Sequence, residues 1–148
     1  MFNHVGQCTS DLERATRFYV ELLGFEIDRD LEVPDEASAP LLGVDPPVNL
    51  RARYLRKGEL VLELMSFELL KWRDTPRVMN EPGLTHLSIS VDDLGATVAR
   101  VPAFGGEVVV ELSNAVMVRD PDGQLLELLT MEYPEWVERQ RRRAGSSD

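Results

Sequence analysis

The sequence predicts an α+β fold made of two copies of one unit, each running strand, helix, then three strands. Three observations predict it. The chain's two histidines open matching patterns, His4-Val5-Gly6-Gln7-Cys8-Thr9-Ser10-Asp11-Leu12 and His86-Leu87-Ser88-Ile89-Ser90-Val91-Asp92-Asp93-Leu94. The offset of 82 residues (86 minus 4) also carries Asp11 onto Asp93, Leu12 onto Leu94 and Gly24 onto Gly106. Each copy then closes on an apolar strand broken by one carboxylate, Leu60-Val61-Leu62-Glu63-Leu64-Met65 and Leu125-Leu126-Glu127-Leu128-Leu129.

The first unit opens with a strand over residues 2–9, whose alternation puts His4 and Cys8 on one face. Ser10-Asp11-Leu12-Glu13 reads as a capping box, in which Ser10 and Glu13 satisfy the free amides of a helix start. Leu12, Ala15, Phe18, Tyr19, Leu22 and Leu23 follow at helical spacing and form one apolar stripe for packing on a sheet. Gly24 stops the helix. Strands are expected over residues 25–29, 49–56 and 59–67, with a tight turn at Lys57-Gly58.

The second unit repeats this order. A strand over residues 84–91 carries Leu87, Ile89 and Val91 on one face and His86, Ser88 and Ser90 on the other. Asp92 is expected to cap a helix from about residue 93, Pro102 to end it early, and Gly105-Gly106 to close the turn. Strands follow over residues 107–112 and 114–119. Asp120-Pro121-Asp122-Gly123 is a strong turn signal, and residues 124–131 form the closing strand.

These elements divide the chain into a first module over residues 1–67, a connector over 68–83, a second module over 84–131 and a tail over 132–148. Histidine to glutamate spans 59 residues in the first half (63 minus 4) and 41 in the second (127 minus 86). The excess falls in residues 30–48, which contain Pro34, Pro40, Pro46 and Pro47. A long irregular insert of this kind is expected to act as a lid or binding loop, the alternative being a surface excursion with no role. Arg139, Arg141, Arg142 and Arg143 are expected to lie in a solvated, frayed tail.

Composition narrows the function. A chain of 148 residues suits one compact domain. Its formal charge of −10 argues against nucleic acid or an anionic membrane as partner. No apolar run approaches the roughly 18 residues that cross a bilayer, and the amino-terminal residues have no signal-peptide pattern, so a cytoplasmic location is expected. One cysteine, Cys8, precludes an internal disulfide and suits a reducing compartment.

Glu63 and Glu127 are physically expensive, because a carboxylate flanked by apolar strand residues must be paired or coordinated. Arg51, Arg53 or Arg119 could pair with them. Yet two imidazoles and two carboxylates at matched places of a repeat read more economically as one metal site, with His4, Glu63, His86 and Glu127 as ligands. Such a set suits a divalent ion (Ni, Co, Zn, Mn or Fe) and leaves about two positions for water or substrate.

Residues 4–27, the stretch from Gly83-Leu84-Thr85-His86 to Val91-Asp92-Asp93, and Arg119-Asp120-Pro121-Asp122-Gly123-Gln124-Leu125-Leu126-Glu127-Leu128 resemble the vicinal oxygen chelate superfamily. That group includes glyoxalase I, methylmalonyl-CoA epimerase, fosfomycin-resistance transferases, extradiol dioxygenases and bleomycin-binding proteins. The resemblance covers almost the whole chain. It implies two tandem βαβββ modules forming a curved, partly open, eight-stranded barrel-like sheet around a metal cavity, with the same four residues on ligand positions. Glutamate at both closing-strand positions resembles glyoxalase I more than the dioxygenases or fosfomycin transferases, which as families use one glutamate.

The expected function is therefore a metal-dependent lyase or isomerase that moves a proton next to a carbonyl through a chelated enediolate. Glu127 is the first candidate base and Glu63 the second. Arg51 and Arg53 are weaker candidates for holding a substrate carboxylate. A small-molecule substrate and a homodimer are expected as partners. The alternatives are an antibiotic-sequestering resistance protein and an Fe(II) extradiol-type dioxygenase.

Overall fold

The computed structural model describes residues 1–72, 75–76, 78–130 and 133–145. Eight strands fall into two four-stranded sheets, one from each half of the chain. The first holds β1 (Val5–Cys8), β2 (Glu26–Val33), β3 (Leu50–Lys57) and β4 (Leu60–Ser66), ordered β1-β4-β3-β2. The second holds β5 (His86–Ser90), β6 (Glu107–Glu111), β7 (Ala115–Arg119) and β8 (Leu125–Leu129), ordered β5-β8-β7-β6. In each sheet the first strand runs parallel to the last, and the other pairings are antiparallel. The expected strand–helix–three-strand order is present twice, and the sheets do not close into a barrel.

The helix that crosses between first and second strands is α1 (Leu12–Arg17), continued by a π-helical turn over Phe18–Leu22, in the first half. In the second it is α3 (Leu94–Arg100), continued by a 3₁₀ turn over Val101–Phe104. Both are capped one residue later than expected. Asp11 accepts from the Arg14 backbone amide and Asp93 from that of Ala96, at 2.9 Å each. Ser10 is unavailable as a cap because its hydroxyl and amide are directed at Asp122 across the molecule. Pro102 sits at the start of the 3₁₀ turn, as a residue without an amide donor should.

One continuous core joins the halves. Leu55, Leu62 and Leu64 of the first sheet and Val116, Val118, Leu126 and Leu128 of the second belong to a single buried cluster with Ala15, Phe18 and Tyr19. Gly106 packs against this core, where a Cβ would meet the Arg119 carbonyl oxygen at 2.6 Å and the Phe18 ring at 2.7 Å. A polar seam reinforces the contact: Gln7 and Tyr19 donate to Asp120, while Thr9, Ser10 and Arg14 donate to Asp122.

Two segments are more regular than the sequence suggests. Residues 30–48 are not an irregular loop: β2 runs on to Val33, and α2 (Asp35–Leu42) follows with Pro40 inside it. The Asp35 carboxylate accepts from the backbone amides of Val48 and Asn49 at 3.0 Å each, which closes the excursion onto β3. The basic run does not lie in a frayed tail but in the carboxy-terminal part of α4 (Tyr133–Gly145), where Arg142 bonds Glu138 one turn earlier at 3.0 Å. Residue 131, expected in the closing strand, lies outside the described residues. No helix among the described residues is long and apolar enough to cross a membrane.

Candidate metal centre

Strand alternation places the chemistry. Leu62 and Leu64 point into the core, so Glu63 between them points out of the opposite face of its sheet. Leu126 and Leu128 flank Glu127 in the same way. On β1, Gln7 and the adjoining Thr9 face the seam, leaving His4, Gly6 and Cys8 on the glutamate side. On β5, Leu87 and Ile89 face the core, leaving His86 and Ser88 beside Glu127.

Each half thereby assembles one histidine–glutamate pair. His4 Nε2 lies 3.1 Å from Glu63 Oε2, and His86 Nε2 lies 3.8 Å from Glu127 Oε2. The side chains of His4, His86 and Glu127 are 33%, 29% and 33% exposed, whereas that of Glu63 is 12% exposed. Glu127 is thus less buried than its apolar neighbours in sequence suggest. Among the described residues no group of three or more His, Cys, Asp and Glu side chains forms a metal-binding cluster. The chain brings the four predicted ligands together as two pairs and does not bring the pairs together, because each lies on the sheet face turned away from the shared core.

In both pairs the residue preceding the histidine occupies the other ring nitrogen. His4 Nδ1 donates to Asn3 Oδ1 at 2.7 Å, and His86 Nδ1 is hydrogen-bonded with Thr85 Oγ1 at 3.0 Å. The Glu63 carboxylate also accepts from the Tyr54 hydroxyl through Oε1 at 2.5 Å. Burial and the Glu63 charge push the Tyr54 phenol above its ordinary pKa, so it stays protonated and donates. Glu127 accepts from Ser88 Oγ through Oε2 at 2.8 Å.

Arg51 and Arg53 lie on the other face of their sheet. Arg53 points to the helix side of its sheet, bonding Asp30 at 2.7 and 2.9 Å, Glu13 at 2.9 Å and Thr16 at 3.1 Å. Arg51 shares that face and lies 3.8 Å from Glu13. Alternation aims both at α1, on the sheet face opposite Glu63. Arg119 lies 3.9 Å from Glu107 and donates to the Gly123 carbonyl oxygen at 3.1 Å. A cavity of about 390 Å³ adjoins Glu127 and is walled by Met117, Val110, Leu125 and Met79. A larger cleft of about 750 Å³ runs between β1 and the second half past Cys8, Trp72 and Gln124, and none of the four candidate ligands lines it.

Residues 1–128 match the model of the Glyoxalase/Bleomycin resistance protein/Dioxygenase superfamily. The chain belongs to this superfamily. It is 30% identical over 134 residues to a probable chloroplastic lactoylglutathione lyase of Arabidopsis thaliana, a match covering 85% of this chain and 34% of that protein. Identity to the lactoylglutathione lyase of Haemophilus influenzae is 28% over 127 residues, covering 80% and 84% of the two. The trypanothione-dependent glyoxalase I of Leishmania major shares the fold, with a TM-score of 0.71 at 24% identity over 97% of this chain and 96% of that one. The chain spans less than half the length of the plant relatives it matches.

Proteins of this superfamily are generally metal-dependent, and the donor set fits a divalent ion. His4 Nε2 and Glu63 Oε2 stand 3.1 Å apart while Asn3 takes the other ring nitrogen, so both atoms face the same point in space. Donors that share one ion at about 2.1 Å and near-right angles stand roughly 3 Å apart, which the His4–Glu63 spacing matches.

Proposed function

We propose that this protein is a metal-dependent lyase or isomerase of the glyoxalase type, whose centre combines His4 and Glu63 of one copy with His86 and Glu127 of a second. The observation that carries this reading is the 3.1 Å approach of His4 Nε2 to Glu63 Oε2, with His86 Nε2 and Glu127 Oε2 as a second such pair at 3.8 Å. A divalent ion held there would supply positive charge to substrate oxygens as negative charge develops during proton removal.

The chain's own residues divide the remaining work. Glu127, partly exposed and beside the 390 Å³ cavity, takes the proton from the carbon next to the carbonyl and returns it to the neighbouring carbon. Ser88 holds that carboxylate from the side. Met117, Val110 and Leu125 line the cavity and exclude water from the carbon being deprotonated. The names of the relatives point to a hemithioacetal substrate and a 2-hydroxy thioester product, a conversion that moves one proton between the two carbons and one between their oxygens and leaves composition unchanged. A reducing, cytoplasmic setting suits the lone Cys8.

The test joins metal analysis of the purified chain to proton–deuterium exchange on hemithioacetals. Stoichiometric divalent metal with exchange supports the reading. No metal after careful preparation favours sequestration, and rapid oxygen uptake with catechols under Fe(II) favours the dioxygenase.

A further inference from the structure

The two halves hold their carboxylates differently. Glu63 stands in register with Tyr54 on β3 and Gly6 on β1. At the equivalent places Glu127 has Met117 on β7 and Ser88 on β5. A phenol therefore occupies the position that is a thioether in the second half, and a bare glycine the position that is a serine.

The bonding follows from this substitution. Glu63 has one partner on each oxygen, Tyr54 on Oε1 and His4 on Oε2. Glu127 receives Ser88 on Oε2, the oxygen that also faces His86. The Tyr54 ring is itself held from two sides. The Arg29 guanidinium carbon lies 4.5 Å over its centre, and the His4 ring meets it edge-on at 5.6 Å and 83°. Ser88, itself exposed on β5, carries a small hydroxyl whose rotor no ring packs against.

We propose that Tyr54, its ring pinned beneath Arg29, is a positioning residue that fixes Glu63 as the permanent carboxylate ligand and so leaves proton movement to the unclamped Glu127. The inference rests on the metal centre described under the proposed function. Tyr54 occupies Oε1, which leaves Oε2 beside His4 as the oxygen that would hold an ion and denies Glu63 the freedom to swing away. Outer hydrogen-bond partners of metal ligands commonly control affinity by about 10–100-fold.

The experiment titrates Co(II) alone into the metal-stripped full chain, with a competing chelator for affinity and visible d–d absorption for ligand geometry. Tyr54→Phe is expected to weaken Co(II) binding about 10–100-fold and shift the d–d bands, with an unchanged melting temperature. Arg29→Gln is expected to lose less in the same direction and Arg29→Lys to recover it. Ser88→Ala is expected to lose less than Tyr54→Phe. Wild-type affinity and bands in a folded Tyr54→Phe chain overturn the proposal, as does an equal loss in Ser88→Ala. If Tyr54→Phe does not fold, wild-type affinity in Arg29→Gln overturns it instead. A wild-type chain that takes up no Co(II) removes the metal centre itself, and this failure is visible before any variant is compared.

Discussion

Gln7 Nε2 donates to Asp120 Oδ2 at 2.6 Å, joining residues 113 positions apart across the seam between the halves. The same carboxylate accepts from the Tyr19 hydroxyl at 3.0 Å and from the backbone amides of Asp122 and Gln124 at 2.9 Å each. Asp120 is 3% exposed, and burial pushes its carboxyl above the ordinary value despite these donors. Asp120→Ala would leave the donors buried and unsatisfied, at about 1–3 kcal/mol for each fully orphaned group. The expected loss is about 3 kcal/mol or more, read as a fall in the urea midpoint at unchanged m-value. A loss below about 1 kcal/mol would show that this carboxylate does not join the seam.

Arg53 gives a second stability prediction and one about pH. Its bidentate bond holds the Asp30 carboxyl below its ordinary value of 3.8. A carboxyl with a lowered folded-state pKa contributes stability above its unfolded value, and that contribution fades as pH falls through the folded one. Wild-type stability should therefore drop more steeply than that of Asp30→Asn as pH falls through and below the ordinary carboxyl value of 3.8. The difference will be small because Asp30 is largely exposed. Since Arg53 faces α1, Arg53→Ala should leave KM for substrate unchanged. A several-fold rise in KM would restore it as a substrate contact.

The duplication was legible because physical roles repeat with the residues. Asp11 and Asp93 both cap helices, and Leu12 and Leu94 both begin them, at the offset read from the histidines. The register then slips by one. The left-handed turn is made by Gly24 (φ +72°) and Gly105 (φ +81°), while Gly106 is required for close packing instead. Ser10 looked like a cap because a capping box is local, and only the folded chain reveals the competing Asp122.

Tyr54 was missed although a signal existed. The Lys57-Gly58 turn fixes the hairpin register, which puts Tyr54 opposite Glu63. Alternation told which face each ligand takes, but not that the two faces look away from each other. That depends on how the helices pack into one core, which no strand pattern encodes.

Glu127→Gln keeps the size of the side chain and its bond to Ser88 but cannot accept a proton. Proton transfer by a positioned base is worth about 10²–10⁴-fold, so kcat should fall by that factor. With Glu127 one-third exposed and outside the core, the melting temperature should stay close to wild type. A mutant with unimpaired kcat would remove Glu127 as the base. Glu63→Gln, by contrast, should act first on metal affinity, because its second oxygen is committed to Tyr54.

A centre shared between copies predicts complementation. A variant with His4→Ala and Glu63→Ala keeps only the second pair, and one with His86→Ala and Glu127→Ala keeps only the first. Neither alone can assemble four ligands, whether the site is shared or not. When the two are unfolded together and refolded, a mixed dimer places the intact first pair of one copy against the intact second pair of the other. Its reciprocal site lacks all four ligands. Random pairing makes half the dimers mixed, each with one working site of two, so roughly a quarter of wild-type metal capacity and activity should return. Recovery of that size distinguishes a two-copy centre from one formed by rearrangement within a chain, which would return nothing on mixing.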